Sequence, residues 1–310
     1  MILSLRQIRR RIKSVENTKK MTRAMEMVAA AKLKKLQDLL KQSDFYIAEL
    51  KRILGTLVKE KPLAHPLLEK REETHKVLAF VIASDTGLCG SYNTNIFDET
   101  SRFISSTPHL PPPKMGGGME GDETLTFIST GKQATNFLKR VKQTTIQEFM
   151  VPRPQEIDSS IQKLTELATQ AFLSKAADRV VFIYTHVVSL ASLKTRVTQL
   201  FPFSSTPELP ADISKEKNNE GGIVDYIVEP SLTEVLEKLI PEYIEAETGQ
   251  FLKHSLVAEQ VSRMMAMRQA TDSAKDMIES LTLMRNKARQ ASITKELIEV
   301  VSGSRALKIK

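Results

Sequence analysis

Two long stretches almost free of proline and glycine, one at each end, constrain this chain more than any other feature. From Ile2 to Leu57 there is no proline and the only glycine is Gly55; after Pro241 there is no proline, and only Gly249 and Gly303 interrupt. Proline deletes a helical donor and glycine adds backbone entropy, so segments lacking both can hold one unbroken helix. In the first segment apolar residues recur at Leu5, Ile8, Ile12, Val15, Met21, Met25, Val28, Leu36 and Leu39. In the second, one seam reads Val257, Val261, Met264, Met267, Thr271, Ala274, Ile278, Leu281, Met284, Ala288 and Ala291. Steps of three and four dominate both, which is the stripe of an amphipathic helix. At 1.5 Å per residue each segment makes a rod of roughly 80 to 90 Å, too long to lie inside one compact domain. Matched lengths and narrow stripes predict an antiparallel coiled coil closed through the middle of the chain. Ala29, Ala30 and Ala31 on one rod, with Ala274, Ala288 and Ala291 on the other, allow close approach. Such small seams bury little area, so the pair suits a shaft held inside something else.

The middle follows a different period. KVLAFVIASD (76–85), TLTFIST (124–130) and RVVFIYTHVVS (179–189) are apolar runs of strand length. Helical patterns begin near Thr94, at GKQATNFLKR and over 157–176, and KTRVTQLFPF (194–203) and IVDYIVEP (223–230) are further strand candidates. Strands alternating with helices predict a central α/β, Rossmann-like domain. The expected organisation is an N-terminal coiled-coil helix at 1–58, the α/β domain at 75–230, and a C-terminal coiled-coil helix at 231–310. TPHLPPPKMGGGMEGDE (107–123) and 204–221 read as loops.

Charge separates the ends from the middle. Of the net +8, residues 1–58 hold 14 Lys/Arg against 5 Asp/Glu and residues 251–310 hold 11 against 6, which leaves −6 for 59–250. The ends therefore face a different partner from the middle. Cys89 is the only cysteine, which excludes an internal disulfide and a cysteine-rich metal site. The first twenty residues lack the unbroken apolar stretch of a secretory signal, and no run of about 18 apolar residues exists to span a bilayer.

The chemical motifs fail one by one. SDTGLCG (84–90) sits where a phosphate-binding turn would, but the dinucleotide pattern needs three glycines and only Gly87 and Gly90 are present. STGKQ (129–133) has Thr126 where a P-loop needs its first glycine and Gln133 where it needs Ser or Thr. Both read as structural turns. The five histidines (65, 75, 109, 186 and 254) show no metal-ligand spacing, and Cys89 has no activating neighbour in sequence. RQIRRRIK and KLKK look like basic helices, but acidic residues interleave along both rods, so nucleic acid is not the expected partner. No catalytic, cofactor or metal site is expected.

Three segments carry a family resemblance: IRRRIKSVENTKKMTRAMEMVAAAKLKKLQ (8–37), SDTGLCGSYN (84–93) and MIESLTLMRNKARQASITKELIEVVSGSRAL (277–307). In that order along the chain, they resemble the γ subunit family of F-type ATP synthases, of bacterial type. The resemblance implies a central rotor shaft, with both chain ends as a coiled coil inside the ring of α and β subunits. It implies a foot that meets the ε subunit and the c-subunit ring, and transmission of proton-driven rotation to catalytic sites on β. It further implies no catalytic residue or cofactor on this chain. Membrane association would come only through the complex, at the cytoplasmic face of the bacterial inner membrane.

Residue by residue, Met25 in RAMEMV and Arg263 in EQVSRM match family positions near one β-subunit loop. Arg289 and Gln290 in KARQ match positions that meet another. Tyr226 and Glu229 in DYIVEP match positions that touch c-ring loops. Thr86 stands where relatives often carry Arg or Gln, and with Cys89 alone the chain lacks the cysteine pair of the chloroplast thiol switch. Outside the family, the alternatives are a coiled-coil scaffold with an α/β head and a nucleotide-binding enzyme built on the 84–90 turn.

Overall fold

A computed structural model describes residues 4–60, 66–68, 75–106, 124–202, 228–229 and 231–308. The elements, in chain order, are α1 (Leu5–Glu60), β1 (Lys76–Ile82), α2 (Tyr92–Ser106), β2 (Thr124–Thr130), α3 (Lys132–Arg140), β3 (Thr145–Phe149), α4 (Ile157–Leu173), β4 (Arg179–Ser189), β5 (Ser192–Phe201) and α5 (Leu232–Lys308). The chain divides into two compact units: Met1–Ala31 with Arg263–Lys310, and Lys32–Ser262. We call them the terminal unit and the head unit.

Within the head unit the two long helices run antiparallel, because their partners step in opposite directions along the chain. In the terminal unit the Thr271 hydroxyl meets that of Thr22 at 2.8 Å. In the head unit Lys253 donates to Ser43 at 3.3 Å, Gln250 to Asp44 at 2.9 Å, and Lys51 pairs with Glu247 at 3.1 Å. The buried positions of α1 alternate by four and three: Ala29, Leu33, Leu36, Leu40, Ser43, Ile47, Leu50, Leu54, Leu57. That is the seven-residue period of a coiled coil.

Continuing the same period toward the N-terminus puts Thr22 in the seam, not Met21, and Ala29, not Val28. Met21 is 65% exposed and Val28 56%, so the apolar stripe expected through them is off by one residue. Ala30 and Ala31 also face outward. On α5 the seam runs through Met267, Thr271 and Ala274 to the half-buried Ile278, Leu281, Arg285 and Ala288, whereas Met284 and Ala291 are exposed. Type of side chain misled here; period decides.

Helix α5 starts earlier than proline avoidance suggests. Ser231 caps it: its hydroxyl accepts the Glu234 N–H at 3.3 Å and donates to the Glu234 carboxylate at 3.0 Å. The helix then passes through Pro241. Pro241 has no N–H to offer the Glu237 carbonyl, and both residues are exposed.

In the head unit five strands form one sheet in the order β3-β2-β1-β4-β5, parallel except for β5, which returns antiparallel to β4. Strand β3 was not foreseen: it is a five-residue edge strand, TIQEF, with its three central residues exposed, so it shows no apolar run. IVDYIVEP lies almost wholly outside the described residues. One sheet face packs Val77, Ala79, Val81 and Phe127 against α2, α3 and Ala258 of α5. On the other face Phe80 stacks on Phe182 at 4.4 Å, and Phe251 of α5 closes over Phe182 at 5.1 Å and Tyr184 at 4.8 Å. A helix that buries side chains on a sheet in this way is integral to the head's core.

Candidate functional site: a filled crevice and an exposed shaft

A doubly wound sheet offers its ligand crevice at the carboxyl ends of the two strands where the order reverses, here β1 and β4. In this head the crevice is occupied by α5. Ser255 reaches the Ile82 carbonyl at the end of β1 at 3.5 Å and meets the Tyr92 hydroxyl at 2.8 Å. Ser262 donates to the Cys89 carbonyl at 2.6 Å, and His254 Nδ1 accepts the Val187 N–H near the end of β4 at 3.3 Å. Three side chains of one helix thus bind backbone or side-chain groups at both strand ends. A nucleotide would have to displace them.

The turn after β1 is likewise satisfied from within. The Asp85 carboxylate accepts the Lys132 N–H at the start of α3 at 3.1 Å and the Val151 N–H at 3.2 Å. That carboxylate takes the position a phosphate occupies at a helix N-terminus. Ser84 donates to the Thr86 carbonyl at 2.7 Å, and Asn93 donates to Ser84 Oγ at 2.8 Å and to the Cys89 sulfur at 3.2 Å. Gly131 is forced: it sits at φ 95°, and a Cβ there would lie 2.3 Å from the Ala83 carbonyl oxygen. The SDTGLCGSYN and STGK segments are therefore the two sides of one braced turn.

Beside the crevice lies a pair that sequence spacing could not reveal. His186 on β4 and His254 on α5 are 68 positions apart, yet their ring centroids stand 4.1 Å apart. Burial, first, and the charge of Arg196 press His254 down to about 4. Burial again leads for His186, followed by His254 and Arg196, and it too falls to about 4. Both rings are neutral at pH 7. Among the described residues no group of three or more His, Cys, Asp or Glu is placed to hold a metal ion.

The terminal unit presents many large side chains to solvent. Met21, Met27, Val28, Met277, Leu283 and Ile298 are exposed, as are Arg9, Arg10, Arg11 and Lys20. Met25 on α1 and Arg263 on α5 are half-buried, while Arg289 and Gln290 are adjacent and exposed farther along α5. The Gln290 carbonyl accepts the Thr294 hydroxyl at 3.0 Å, which leaves its side chain uncommitted by that bond. In the head unit Glu229 is exposed; Tyr226 lies outside the described residues. No helix among the described residues is long and apolar enough to cross a membrane.

The class these features define has long terminal helices and a Rossmann-like head whose crevice is closed by residues 254–262 of the second of those helices. Within that class, the chain belongs to the ATP synthase γ family. The family model described as ATP synthase matches residues 4–307. An ATP synthase gamma chain of Chloroherpeton thalassium is 35% identical over 306 residues, spanning 98% of each chain. That of Protochlamydia amoebophila is 33% identical over 306 residues, covering 98% of this chain and 99% of the relative. A chain in the cryo-EM structure of the Euglena gracilis mitochondrial ATP synthase (OSCP/F1/c-ring, rotational state 3) superposes with a TM-score of 0.61 at 17% identity, covering 98% of this chain and 94% of its own. A second from the rotor of the same enzyme gives 0.57 at 17% identity, covering 93% and 98%. At these identities the structural likeness speaks to the fold, and it agrees with the long helix pair and central sheet.

Proposed function

We propose that this chain is the central-stalk rotor subunit of an F-type ATP synthase, non-catalytic in itself. It carries rotation between a proton-driven c-subunit ring and the catalytic β subunits, and in reverse lets ATP hydrolysis pump protons. The observation that carries the reading is the surface of the terminal unit. Large apolar side chains stand open beside dense Arg and Lys on two thin helices, a surface suited to burial inside a sleeve of partner subunits. The filled crevice of the head supports a role without chemistry of its own.

In this reading Met25, Arg263, Arg289 and Gln290 meet β-subunit loops, and Tyr226 and Glu229 meet the c ring, with the ε subunit against the head. The segments 1–58 and 231–310 act as the shaft and 75–230 as the foot. The chain is peripheral at the cytoplasmic face of the bacterial inner membrane, held there by the complex. The test is reconstitution with α, β and ε subunits: the chain should co-elute with them and support magnesium-dependent ATPase activity of the assembly. ATP hydrolysis by the purified chain alone would refute the proposal.

A further inference from the structure

We propose that His254 is an acid-release clasp between helix α5 and the β4–β5 hairpin, closed while its imidazole is neutral and opened by a single proton. The inference concerns the head unit alone and does not rest on the rotor reading.

The geometry leaves the proton one place to go. His254 Nδ1 accepts the Val187 N–H at 3.3 Å, so the neutral ring carries its hydrogen on Nε2. Nε2 points toward Asp44 Oδ1 of α1 at 3.6 Å and has no hydrogen-bond partner. A second proton must therefore land on Nδ1. Once there, it faces the Val187 N–H donor to donor, and the bond that ties hairpin to helix is lost. A serine or glutamine at this position would keep its acceptor at every pH; histidine does not.

The charged groups around the ring decide whether protonation is resisted. From β5, Arg196 opposes a positive charge on either ring, and from α1, Lys51 opposes it on His186. From β4, His186 itself lies 4.1 Å away, and Tyr184 contacts that ring edge-on while burial keeps its own hydroxyl neutral, up to about 12. Asp44 is the only one of these neighbours that would welcome the proton. It is 45% exposed and already accepts Gln250 at 2.9 Å, so its attraction is shared and screened. On α5, Lys253 is engaged with Ser43, and Glu247 is paired with Lys51. Burial and Arg196 win, so the clasp stays shut at neutral pH and opens only under acid.

Hydrogen exchange on the full-length chain tests this at Val187, with protection factors corrected for the intrinsic pH dependence of exchange. Between pH 7 and pH 4.5 the Val187 protection factor should fall about tenfold in the native chain. It should stay within twofold in His254→Gln, whose side-chain carbonyl still accepts the N–H but does not titrate. Lys51→Met, which removes a cation from α1 but leaves the acceptor, should retain the native drop. Unchanged protection in the native chain overturns the proposal, and so does an equal drop in His254→Gln, which would place the titration on Asp44 or another group.

Discussion

Replacing Gly131 by alanine tests how the braced turn is built. A Cβ at this residue would sit 2.3 Å from the Ala83 carbonyl oxygen, 2.8 Å from the Ala83 carbonyl carbon and 2.9 Å from the Ser84 oxygen. All three are backbone atoms, so no side chain can swing aside. A positive φ of 95° costs a non-glycine residue roughly 1 to 2 kcal/mol before any clash. Relieving the clash means parting the ends of β1 and β2, where Ala83 bonds Thr130 at 2.9 Å, Gly131 bonds Phe149 at 2.7 Å and Gln133 bonds Ser84 at 3.0 Å. Straining two or three such bonds adds about 1 kcal/mol each.

The expected loss is therefore about 4 kcal/mol, at the high end for a single substitution. Urea unfolding followed by circular dichroism reads it as a lower midpoint at unchanged slope, confined to the transition of residues 32–262. Gly55 is the built-in control. It lies within helix α1 with nothing within 4 Å of its missing Cβ, so Gly55→Ala should raise stability by about 0.5 to 1 kcal/mol. A loss below about 1 kcal/mol for Gly131→Ala, or a loss of the same size for Gly55→Ala, would refute the reasoning.

Three further outcomes are expected. His186 and His254 are held near 4 in the fold against 6.5 in the unfolded chain, so between those values the unfolded state binds more protons. Stability is then fully present above about pH 6.5 and falls as pH drops through the window, by about 2 kcal/mol after allowing for the partial exposure of His186; a flat urea midpoint from pH 6.5 to 4.5 in the native chain contradicts this. In the shaft, Ala29 is buried and Ala30 exposed, so Ala29→Leu should cost about 1 to 3 kcal/mol by overpacking while Ala30→Leu changes stability by under about 0.5. Thermal melts that rank the two the other way would move the seam. Changing Arg289 and Gln290 together to Ala should leave helicity intact yet lower ATPase turnover of the assembled complex by up to about tenfold, the scale of two exposed polar contacts. Full turnover in that double variant would remove both residues from the proposed β-subunit surface.

Sequence revealed what is periodic or continuous and hid what is short, polar or distant. Both long helices and strands β1, β2 and β4 announce themselves, because a missing proline or a run such as KVLAFVI has one cheap fold. The exact seam did not, because Met21 and Val28 are apolar yet exposed while Thr22 and Ser43 are polar yet buried. Hydrophobicity marks two classes of surface in such a shaft, the seam and the outer face, and only the strict period of seven separates them. Strand β3 was invisible because an edge strand of TIQEF has little apolar face to show. The closing of the crevice by Ser255, Ser262 and His254 was also hidden. It depends on α5 crossing strand ends more than sixty residues earlier in the chain, and no local pattern encodes that meeting. The glycine count of the SDTGLCG turn gave no hint of how Asp85 braces it, accepting the Lys132 and Val151 N–H groups.

The central claim is that this chain turns within a ring of other subunits. Cys89 is buried, so a single Lys194→Cys substitution on the exposed face of β5 gives one site for a bead or rod. With α and β subunits fixed to a surface and magnesium ATP supplied, the account predicts stepwise, one-directional rotation of the label that stops when ATP is withdrawn. Sustained ATP hydrolysis by the same complexes with the label stationary would contradict it.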